Sequence, residues 1–359
     1  MKVLCICPIG IGNYLLTYPA CYAIKQAQPA FSLHLLGLRH GISDFARNDP
    51  LWNDIHIFDP THLKNRPLKK VPIIHSLRTQ HFDASLCFFP SNTWLYNALP
   101  FLAGIKKRYA FKYYYNPATN LAFLCSHTIT VDTEIHDVMQ NMRLAAFFIK
   151  NAEIEKQEPL FPALYGSEES EFVSSLLQKF PQKKFIVMHA GSSAEHSMIY
   201  KRWAPERFAE LADRICEKLN AAALILGGNE EIAVKQRVAE KMNAPRHIID
   251  ALPLRETAAL CANSAICLCN DSGIMHIASC AGTPVIALFG PTDEKRNGPT
   301  GKNALVVRKP MEGFPLWTAR NAGNRRLPRA INAAASLNAL SVDDAWAQVK
   351  PWLDELIAE

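Results

Sequence analysis

Short apolar runs alternate with helical patterns along the first half of the chain. Residues 3–7 form a continuous apolar run, residues 8–12 a glycine-containing turn, and residues 15–26 carry apolar positions at helical spacing. Further strand-length apolar runs, separated by helical or polar stretches, occupy residues 33–36, 55–58 and 84–89. This alternation predicts a parallel β-sheet covered by helices, and therefore an α/β fold.

The same alternation begins again in the second half of the chain. It opens with a predicted helix at residues 169–179, a strand at 185–189 and a helix at 205–218. Four more strands are predicted at residues 222–226, 247–249, 265–269 and 285–289. We therefore expect two doubly wound, Rossmann-like domains that face each other across a cleft. Ligands should bind beyond the carboxyl ends of the strands, where polar loops follow His189, Leu226 and Cys269.

Composition narrows the class of protein without identifying it. A chain of 359 residues exceeds what one hydrophobic core usually supports, and no apolar run approaches the roughly 18 residues of a membrane span. The chain starts directly with a strand rather than a signal peptide, so we expect a cytoplasmic protein. The ten cysteines lie mostly in apolar segments, without Cys/His spacing typical of a metal site. The net charge of +6 is too diffuse for a nucleic-acid-binding protein, but it suits an anionic ligand or membrane surface.

The segment from Asn270 to His276 is the most informative motif. An apolar strand, a polar turn and a short helix follow one another, as in turns that hold phosphate. Asp271 and Ser272 can cap the helix, and Gly273 lets a ligand approach the backbone. His276 can add a further donor from the first turn. The plain alternative is an ordinary capped helix between two buried strands.

Several motifs together resemble glycosyltransferase family nine, the heptosyltransferases, whose members have the two-domain GT-B fold. The matching features are Gly10-Ile11-Gly12, Thr17-Tyr18-Pro19-Ala20, His189-Ala190-Gly191-Ser192-Ser193, Lys201-Arg202-Trp203, Gly227-Gly228-Asn229-Glu230 and the stretch from Asn270 to Thr292. They span nearly the whole chain in the order of the family. The resemblance implies an inverting transfer of heptose from ADP-heptose without a bound metal or other cofactor.

The resemblance assigns donor-binding roles to residues of the second half. Asp271, Ser272, Gly273 and His276 would face the diphosphate, and a second set would contribute hydroxyl groups and a positive charge to it: Ser192, Ser193 and Lys201. Glu230 would accept hydrogen bonds from the ribose hydroxyls, with its neighbour Glu231 as the competing candidate. Adenine would lie near Leu252 and Leu254.

Position 13 departs from the family. The heptosyltransferases carry an aspartate base there, whereas this chain has Asn13, whose neutral amide does not accept a proton near neutral pH. Another residue could be the base, and the candidates are Asp44, His40 and His136. Alternatively, Asn13 only orients the acceptor hydroxyl, or the protein binds a nucleotide sugar without transferring it.

Basic and aromatic residues of the first half suggest where the acceptor binds. Lys106, Lys107, Arg108 and Lys112 alternate with tyrosines at positions 109, 113, 114 and 115. Such a patch suits sugar rings and phosphates, and Arg39, Arg78 and His136 are further candidates for acceptor binding. The same patch could instead contact anionic lipid headgroups. A charged run is also commonly just a solvated surface.

The C-terminal segment completes the predicted domain organisation. Residues 311–330 lack periodicity and carry four arginines, which predicts a long loop near the cleft. Ser341 should cap a last helix, interrupted at Pro351, that crosses back onto the first domain. The predicted domains are therefore residues 1–160 plus 341–359, which bind the acceptor, and residues 161–340, which bind the nucleotide sugar.

The sequence therefore predicts a metal-independent, inverting glycosyltransferase. Its donor would be ADP-heptose or a related nucleotide sugar. Its acceptor would be a lipid-linked saccharide of the lipopolysaccharide core or another cell-envelope glycan. The protein would reach it from the cytoplasm, and peripheral contact with the inner face of the membrane is a further expectation. The alternatives are a nucleotide-sugar-binding protein without transferase activity and a sugar-nucleotide epimerase of the GT-B fold.

Overall fold

The chain forms two compact units. The computed structural model describes residues 1–7, 10–37, 41–58, 71–91, 93–114, 120–192, 199–317 and 332–358. Met1–Pro162 make up the described part of the first unit, and Ala163–Trp317 with residues 332–358 make up that of the second. The division falls two residues from the boundary expected at 160/161. None of the helices in these ranges is long and apolar enough to cross a membrane.

The first unit is built on a six-stranded parallel sheet in the order β3-β2-β1-β4-β5-β6. Its strands are β1 (Lys2–Cys7), β2 (Ser32–Gly37), β3 (Asp54–Ile57), β4 (Ala84–Cys87), β5 (Lys107–Lys112) and β6 (His127–Thr130). Its helices are α1 (Ile11–Ala27), α2 (Ile42–Ala46), α3 (Val71–Thr79), α4 (Trp94–Leu102) and α5 (Asp137–Ile149). Two 3-10 helices cover Ala122–Leu124 and Ala152–Lys156.

The second unit repeats this architecture with the sheet order β12-β11-β10-β7-β8-β9. Its strands are β7 (Phe185–His189), β8 (Ala222–Ile225), β9 (Arg246–Ile248), β10 (Cys267–Asn270), β11 (Val285–Leu288) and β12 (Ala304–Val307). Its helices are α6 (Ser167–Leu177), α7 (Pro205–Leu219), α8 (Ile232–Lys241), α9 (Leu254–Ala262), α10 (Gly273–Cys280), α11 (Glu294–Asn297), α12 (Ala335–Ala339) and α13 (Val342–Ala358). A 3-10 helix at Asn229–Glu231 precedes α8.

Both sheets have a topological switch point in their strand order. In each unit the first strand of the sheet, β1 or β7, lies beside the fourth, β4 or β10, and the chain leaves these two strands in opposite directions. The loops that follow such a pair separate and leave a crevice at the carboxyl edge of the sheet. The turns singled out from the sequence, before Asn13 and after Asn270, lie at these two edges.

Burial explains why the strand predictions were confirmed. The predicted strands β7, β8, β10 and β11 of the second unit are buried on both faces, because residues of alternating parity pack into two separate clusters on opposite sides of the sheet. Such strands appear as continuous apolar runs. The sequence did not predict β5, β6 or β12. The pattern of β5 is interrupted by Lys107, Arg108 and Lys112, and β6 has mostly exposed side chains.

The last helix differs from its prediction. Ser341 caps α13 as expected, since its Oγ accepts from the Asp344 amide at 3.0 Å while the Asp344 carboxylate accepts from the Ser341 amide at 3.2 Å. However, α13 packs in the second unit, where Val349 and Leu353 are fully buried in a cluster with residues of α7 and β12. The helix also continues through Pro351. The expected return of residues 341–359 to the first domain is therefore wrong, because these apolar side chains complete the core of the second sheet.

Candidate functional site

Asn270 holds together the loops at the switch point of the second sheet. It is the last residue of β10 and is fully buried. Its Nδ2 donates to the carbonyls of Ala190 at 2.9 Å and Gly191 at 3.3 Å, and its Oδ1 accepts from the Trp203 amide at 3.2 Å. The loop after β7 and the segment before α7 are therefore fixed beside the start of α10.

The first turn of α10 has the geometry of an anion site. Ser272 is its N-cap, but the Ser272 side chain makes no capping bond; its Oγ lies 3.2 Å from Nδ1 of His189 instead. The prediction that Asp271 and Ser272 cap the helix is therefore wrong. Because Ser272 leaves the backbone N–H groups of the first turn uncapped, they can donate to an anion together with the positive end of the helix dipole.

Asp271 forms a buried ion pair with Lys201. The Lys201 Nζ lies 2.6 Å from Oδ2 of Asp271, and both side chains are largely buried. Burial alone would raise the pKa of the Asp271 carboxyl, but the Lys201 cation outweighs burial and holds this pKa below its usual value. Asn297 also donates to Oδ1 of Asp271, at 3.3 Å. The Asp271 carboxylate thus holds Lys201 at the start of α10, a contact that the sequence alone did not predict.

Glu231 and Glu230 have different surroundings. Glu231 is buried, and its Oε2 lies 3.0 Å from Nε2 of His189 and accepts from the Gly228 amide at 3.1 Å. Burial alone would raise the pKa of the Glu231 carboxyl. The bond to His189 and the nearby Arg202 cation outweigh burial, so this pKa lies below its usual value. Glu230 is exposed, with its carboxylate over the backbone of Gly228. Glu230 is therefore the more accessible of the two carboxylates.

His189 connects the loop after β8 with the N-terminus of α10. With a proton on Nε2 it donates to Glu231, and its Nδ1 then accepts from the Ser272 hydroxyl. A continuous chain of hydrogen bonds runs from the Gly228 amide through Glu231 and His189 to Ser272. The loop after β8 and the N-terminus of α10 are in this way held in a fixed relation to each other.

Ser192 and His276 also lie at this edge. The Ser192 side chain is buried, and its Oγ accepts from Nε of Arg202 at 3.3 Å, while Arg202 also bonds the Ser192 carbonyl. Arg202 approaches Oε1 of Glu231 at 3.7 Å. His276 is buried in the first turn of α10. Ser193 lies outside the described residues. The structure thus brings Ser192, Lys201, Glu230, Asp271, Ser272, Gly273 and His276 to one edge of one sheet.

Sequence reasoning missed Lys235. This lysine is buried in α8, and its Nζ donates to the carbonyls of Gly227 at 3.1 Å and Ile249 at 2.9 Å. It therefore ties the loop after β8 to the end of β9. A signal was present in the sequence, because Lys235 lies four residues after Glu231 and three before Val238, on the buried face of the helix.

The switch point of the first sheet carries Asn13. Asn13 lies in the first turn of α1, which follows β1. Asn141 of α5 holds this region, since its Oδ1 accepts from the Phe89 amide at 2.7 Å and its Nδ2 donates to the Leu16 carbonyl at 3.0 Å. The end of β4 and the first turns of α1 are thereby fixed beside each other.

The base candidates have different surroundings. Asp44 is exposed in α2, directly after the carboxyl end of β2. Nδ1 of His136 accepts from the Val138 amide at 3.2 Å and so caps α5. His40 and Arg39 lie outside the described residues.

Most of the predicted acceptor residues lie at the opposite edge of the first sheet. Lys106, Lys107 and Arg108 are at the amino-terminal end of β5, where Lys107 pairs with Ala84, the first residue of β4. Arg78, in the last turn of α3, precedes β4 at the same edge. Because a strand rises about 3.3 Å per residue, this edge is separated from the carboxyl edge by the length of the sheet. These residues therefore lie at the edge opposite Asn13, and their role in acceptor binding stays a prediction.

The aromatic part of the predicted patch is also reduced. Tyr109 and Tyr113 are buried, and the Tyr113 hydroxyl accepts from the Ser91 amide at 2.7 Å. Arg108 donates through Nε to the Leu124 carbonyl at 2.7 Å, and its guanidinium lies over the Phe101 ring. Tyr114 is exposed, and Tyr115 lies outside the described residues. Two of the four tyrosines are thus core residues.

Comparison with known proteins gives a consistent picture. The family described as glycosyltransferase family 9 (heptosyltransferase) matches residues 71–316. Lipooligosaccharide heptosyltransferase 2 of Haemophilus ducreyi is 25% identical over 328 residues, which cover 86% of this chain and 88% of that protein. The glycosyl transferase of family 9 from Veillonella parvula has a similar structure, with a TM-score of 0.77, 17% identity and coverage of 99% and 97% of the two chains. The ADP-heptose heptosyltransferase II of E. coli has a TM-score of 0.71, 18% identity and 99% coverage of both chains.

Proposed function

Because this chain belongs to glycosyltransferase family 9, and is therefore a glycosyltransferase with the predicted GT-B fold, we propose that it transfers a heptose from ADP-heptose to a saccharide of the lipopolysaccharide core or a similar cell-envelope glycan. The observation that carries this proposal is the uncapped first turn of α10 beside Lys201 and the accessible Glu230. Together they offer amide donors and a cation for a diphosphate and an acceptor for ribose hydroxyls. The family match favours transfer over binding alone or epimerisation.

The donor would be held by the second unit. Its diphosphate would accept hydrogen bonds from the amides of Gly273 and Ile274. Lys201 would turn from Asp271 toward the phosphate oxygens or donate to both anions at once. Adenine would lie near Leu252 and Leu254, beyond the end of β9. Charge that develops on the departing ADP is stabilised by donors already fixed in place, so transfer needs no bound metal in this proposal.

The transfer would be a single inverting displacement. An acceptor hydroxyl attacks the anomeric carbon from the face opposite the diphosphate, and the bond from that carbon to the phosphate oxygen breaks as the new glycosidic bond forms. Asn13 would accept or donate a hydrogen bond and so orient the hydroxyl. The proton would pass to a group other than Asn13, with Asp44, His40 and His136 as the candidates.

Contact with the membrane would use the amino-terminal edge of the first sheet. Phe101, Leu102 and Phe123 are 45%, 49% and 68% exposed. Arg108 lies beside these residues, because its guanidinium stacks over the Phe101 ring and donates to the carbonyl of Leu124, the residue after Phe123. Lys106 and Lys107, which precede Arg108 in the chain, are exposed. Exposed apolar side chains beside cations suit an anionic lipid surface, where each cation contributes about 1 kcal/mol.

Phe101→Asp with Lys107→Glu should reduce sedimentation with phosphatidylglycerol vesicles, whereas Phe172→Asp, in the second unit, should not.

Incubation with ADP-heptose and a heptose-deficient core lipopolysaccharide tests the main proposal. Transfer of heptose to the acceptor is expected; donor binding without product, or an altered sugar nucleotide, would favour one of the two alternatives.

Calorimetry with ADP tests the donor site separately. Lys201→Ala should weaken ADP binding by roughly 10- to 100-fold, the equivalent of a charge-assisted bond, whereas exposed Lys241→Ala should leave it unchanged. Equal affinities would contradict the diphosphate assignment.

A further inference from the structure

Two histidines and an aspartate meet at the outer edge of the first sheet, away from the candidate active site. Strands β2 and β3 pair in parallel with His34 opposite Asp54 and Leu36 opposite His56. Because alternate residues of a strand point to the same face, His34, Asp54 and His56 all lie on one side of this strand pair. No spacing within the sequence brings His34 to the other two, since only the register of the strands does so.

The three side chains point at one another. Oδ2 of Asp54 lies 3.5 Å from Nε2 of His56 and 3.9 Å from Nδ1 of His34. One ligand atom from each residue lies within 4.8 Å of the others. Both nitrogens are buried and have no hydrogen-bond partner, and His34 as a whole is only 6% exposed. Buried polar atoms normally have partners, so two that face the same carboxylate need an explanation.

The surroundings fix the orientation of both rings. Nε2 of His34 lies 3.0 Å from Oγ of Ser32, which leaves Nδ1 as the nitrogen that faces the cluster. The two imidazole rings are stacked with centroids 6.1 Å apart, and the ring of Phe82 packs edge-on against each of them. One oxygen of Asp54 accepts from the Ile55 amide at 2.8 Å, so Oδ2 is the oxygen left for the cluster.

We propose that His34, Asp54 and His56 bind a zinc ion. Two imidazole nitrogens and one carboxylate oxygen are a ligand set that zinc accepts, with water in the fourth tetrahedral position. Ca²⁺ and Mg²⁺ prefer oxygen ligands and fit this set poorly. The hydrogen bond from His34 to Ser32 resembles the outer contact that commonly orients a metal-binding histidine. To reach bonding distances of about 2.0–2.2 Å, the ligand atoms must move together by a small amount, which the half-exposed Asp54 side chain allows.

The charges nearby are compatible with a dication. Lys2 is a cation near both histidines, but its ammonium group bonds Gln80 and lies over the Phe82 ring. The site joins the four-residue edge strand β3 to β2, so its role would be to hold that edge in place rather than to take part in sugar transfer.

Zinc titration of the full-length protein tests this proposal. After dialysis against a chelator, calorimetry should show one zinc ion bound per chain, with a rise in melting temperature. Asp54→Asn and His56→Ala should each weaken zinc binding by at least about tenfold, because each removes one ligand. His81→Ala and His127→Ala, which change histidines outside the cluster, should bind as the wild type does. Failure to bind zinc, or equal binding by all four variants, would overturn the proposal.

A second measurement identifies the ligand atoms without relying on affinity. Nitrogen chemical shifts of ¹⁵N-labelled histidine should show zinc on Nδ1 of His34 and on Nε2 of His56. Magnesium at the same concentration should leave these shifts unchanged. Unchanged shifts with zinc, or coordination through Nε2 of His34, would count against the site. The variants can be checked for folding by their spectra, so a loss of structure is not mistaken for the loss of a ligand.

Discussion

At the scale of single residues, the neighbours Glu230 and Glu231 show how burial assigns different roles to the same side chain. Glu231 bonds His189 and the Gly228 amide inside the second unit, whereas Glu230 is exposed above Gly228. A buried charge that loses its partners is costly, whereas an exposed one is not. Glu231 should therefore contribute to stability, and Glu230 should contribute to ligand binding.

Alanine substitution of each glutamate should separate these roles. Glu231→Ala should lower the free energy of unfolding by about 3 kcal/mol or more, because it leaves His189 and Arg202 without their buried carboxylate. Glu230→Ala should change it by less than about 0.5 kcal/mol but weaken ADP-heptose binding by about tenfold or more. Urea unfolding and calorimetry measure the two effects. The opposite pattern would show that Glu231 contacts the ribose.

Asn13 is the residue at which a single substitution tests the chemistry. If another group is the base, Asn13→Asp should change the rate of transfer by less than tenfold. Base catalysis typically contributes about 10²–10⁴-fold, so a gain of that size would show that the natural chain lacks an effective base. Initial rates with saturating donor, measured between pH 6 and 9, distinguish the two results. Asn13→Ala is the control for loss of the amide.

The site residues that the sequence could predict are those whose roles depend on their own turn. Gly273 and Ser272 were recognisable because a strand, a polar turn and a helix follow one another within a few residues. The partners Lys201 and His189 come from the segment before α7 and from the end of β7, and which atoms they bond depends on the packing of the sheet. The role of Ser272 was mistaken for this reason, since its hydroxyl bonds His189 rather than its own helix.

At the scale of elements, helix α13 shows where pattern alone was insufficient. Its apolar face and its cap were visible in the sequence, but the surface on which that face packs was not. Val349 and Leu353 are buried against the second sheet, and the Leu340 carbonyl before the helix accepts from Nε1 of the buried Trp203 at 3.1 Å. Strand β5 is the reverse case, since its charged ends concealed the buried segment from Tyr109 to Phe111.

Leucine and isoleucine positions of α13 provide a matched test of this packing. Leu353→Ala should lower the free energy of unfolding by about 2–5 kcal/mol, because it leaves a cavity in the core of the second unit. Ile357→Ala, where the side chain is 51% exposed, should cost less than about 1 kcal/mol. Urea unfolding of both variants measures the difference. Similar small effects would mean that α13 is not part of this core.

At the scale of the molecule, the repeated sheet order explains why the architecture was predictable. Both units place their first and fourth strands side by side, so loops that are distant in sequence meet at one edge of each sheet. Alternating strands and helices were sufficient to predict this layout. They did not predict β5, and so they did not show that Lys106, Lys107 and Arg108 lie at the amino-terminal edge of the first sheet.

Acid stability of the second unit follows from its carboxylates. The bond from Arg255 is the main cause that lowers the pKa of Glu169 to about 2, and the pKa values of Glu231 and Asp271 are also lowered. In the unfolded chain these groups have pKa values of about 3.9 to 4.3, so at pH 3 the unfolded state binds more protons than the folded state. The stability that they contribute is therefore present above about pH 5 and is lost as the pH falls toward 2.

Glu169→Gln measures one part of this dependence. The Glu169 carboxylate lies 2.6 Å from Nε of Arg255, and the pair is partly exposed, so the expected contribution at pH 7 is only about 1 kcal/mol. The difference in unfolding free energy between wild type and variant should be constant between pH 7 and 5. It should then shrink as the pH falls, because the wild-type carboxyl becomes protonated and loses its ion pair. Glu168→Gln, at the neighbouring exposed position, should follow the wild-type profile, and a Glu169→Gln difference that persists to pH 2 would contradict the ion-pair origin.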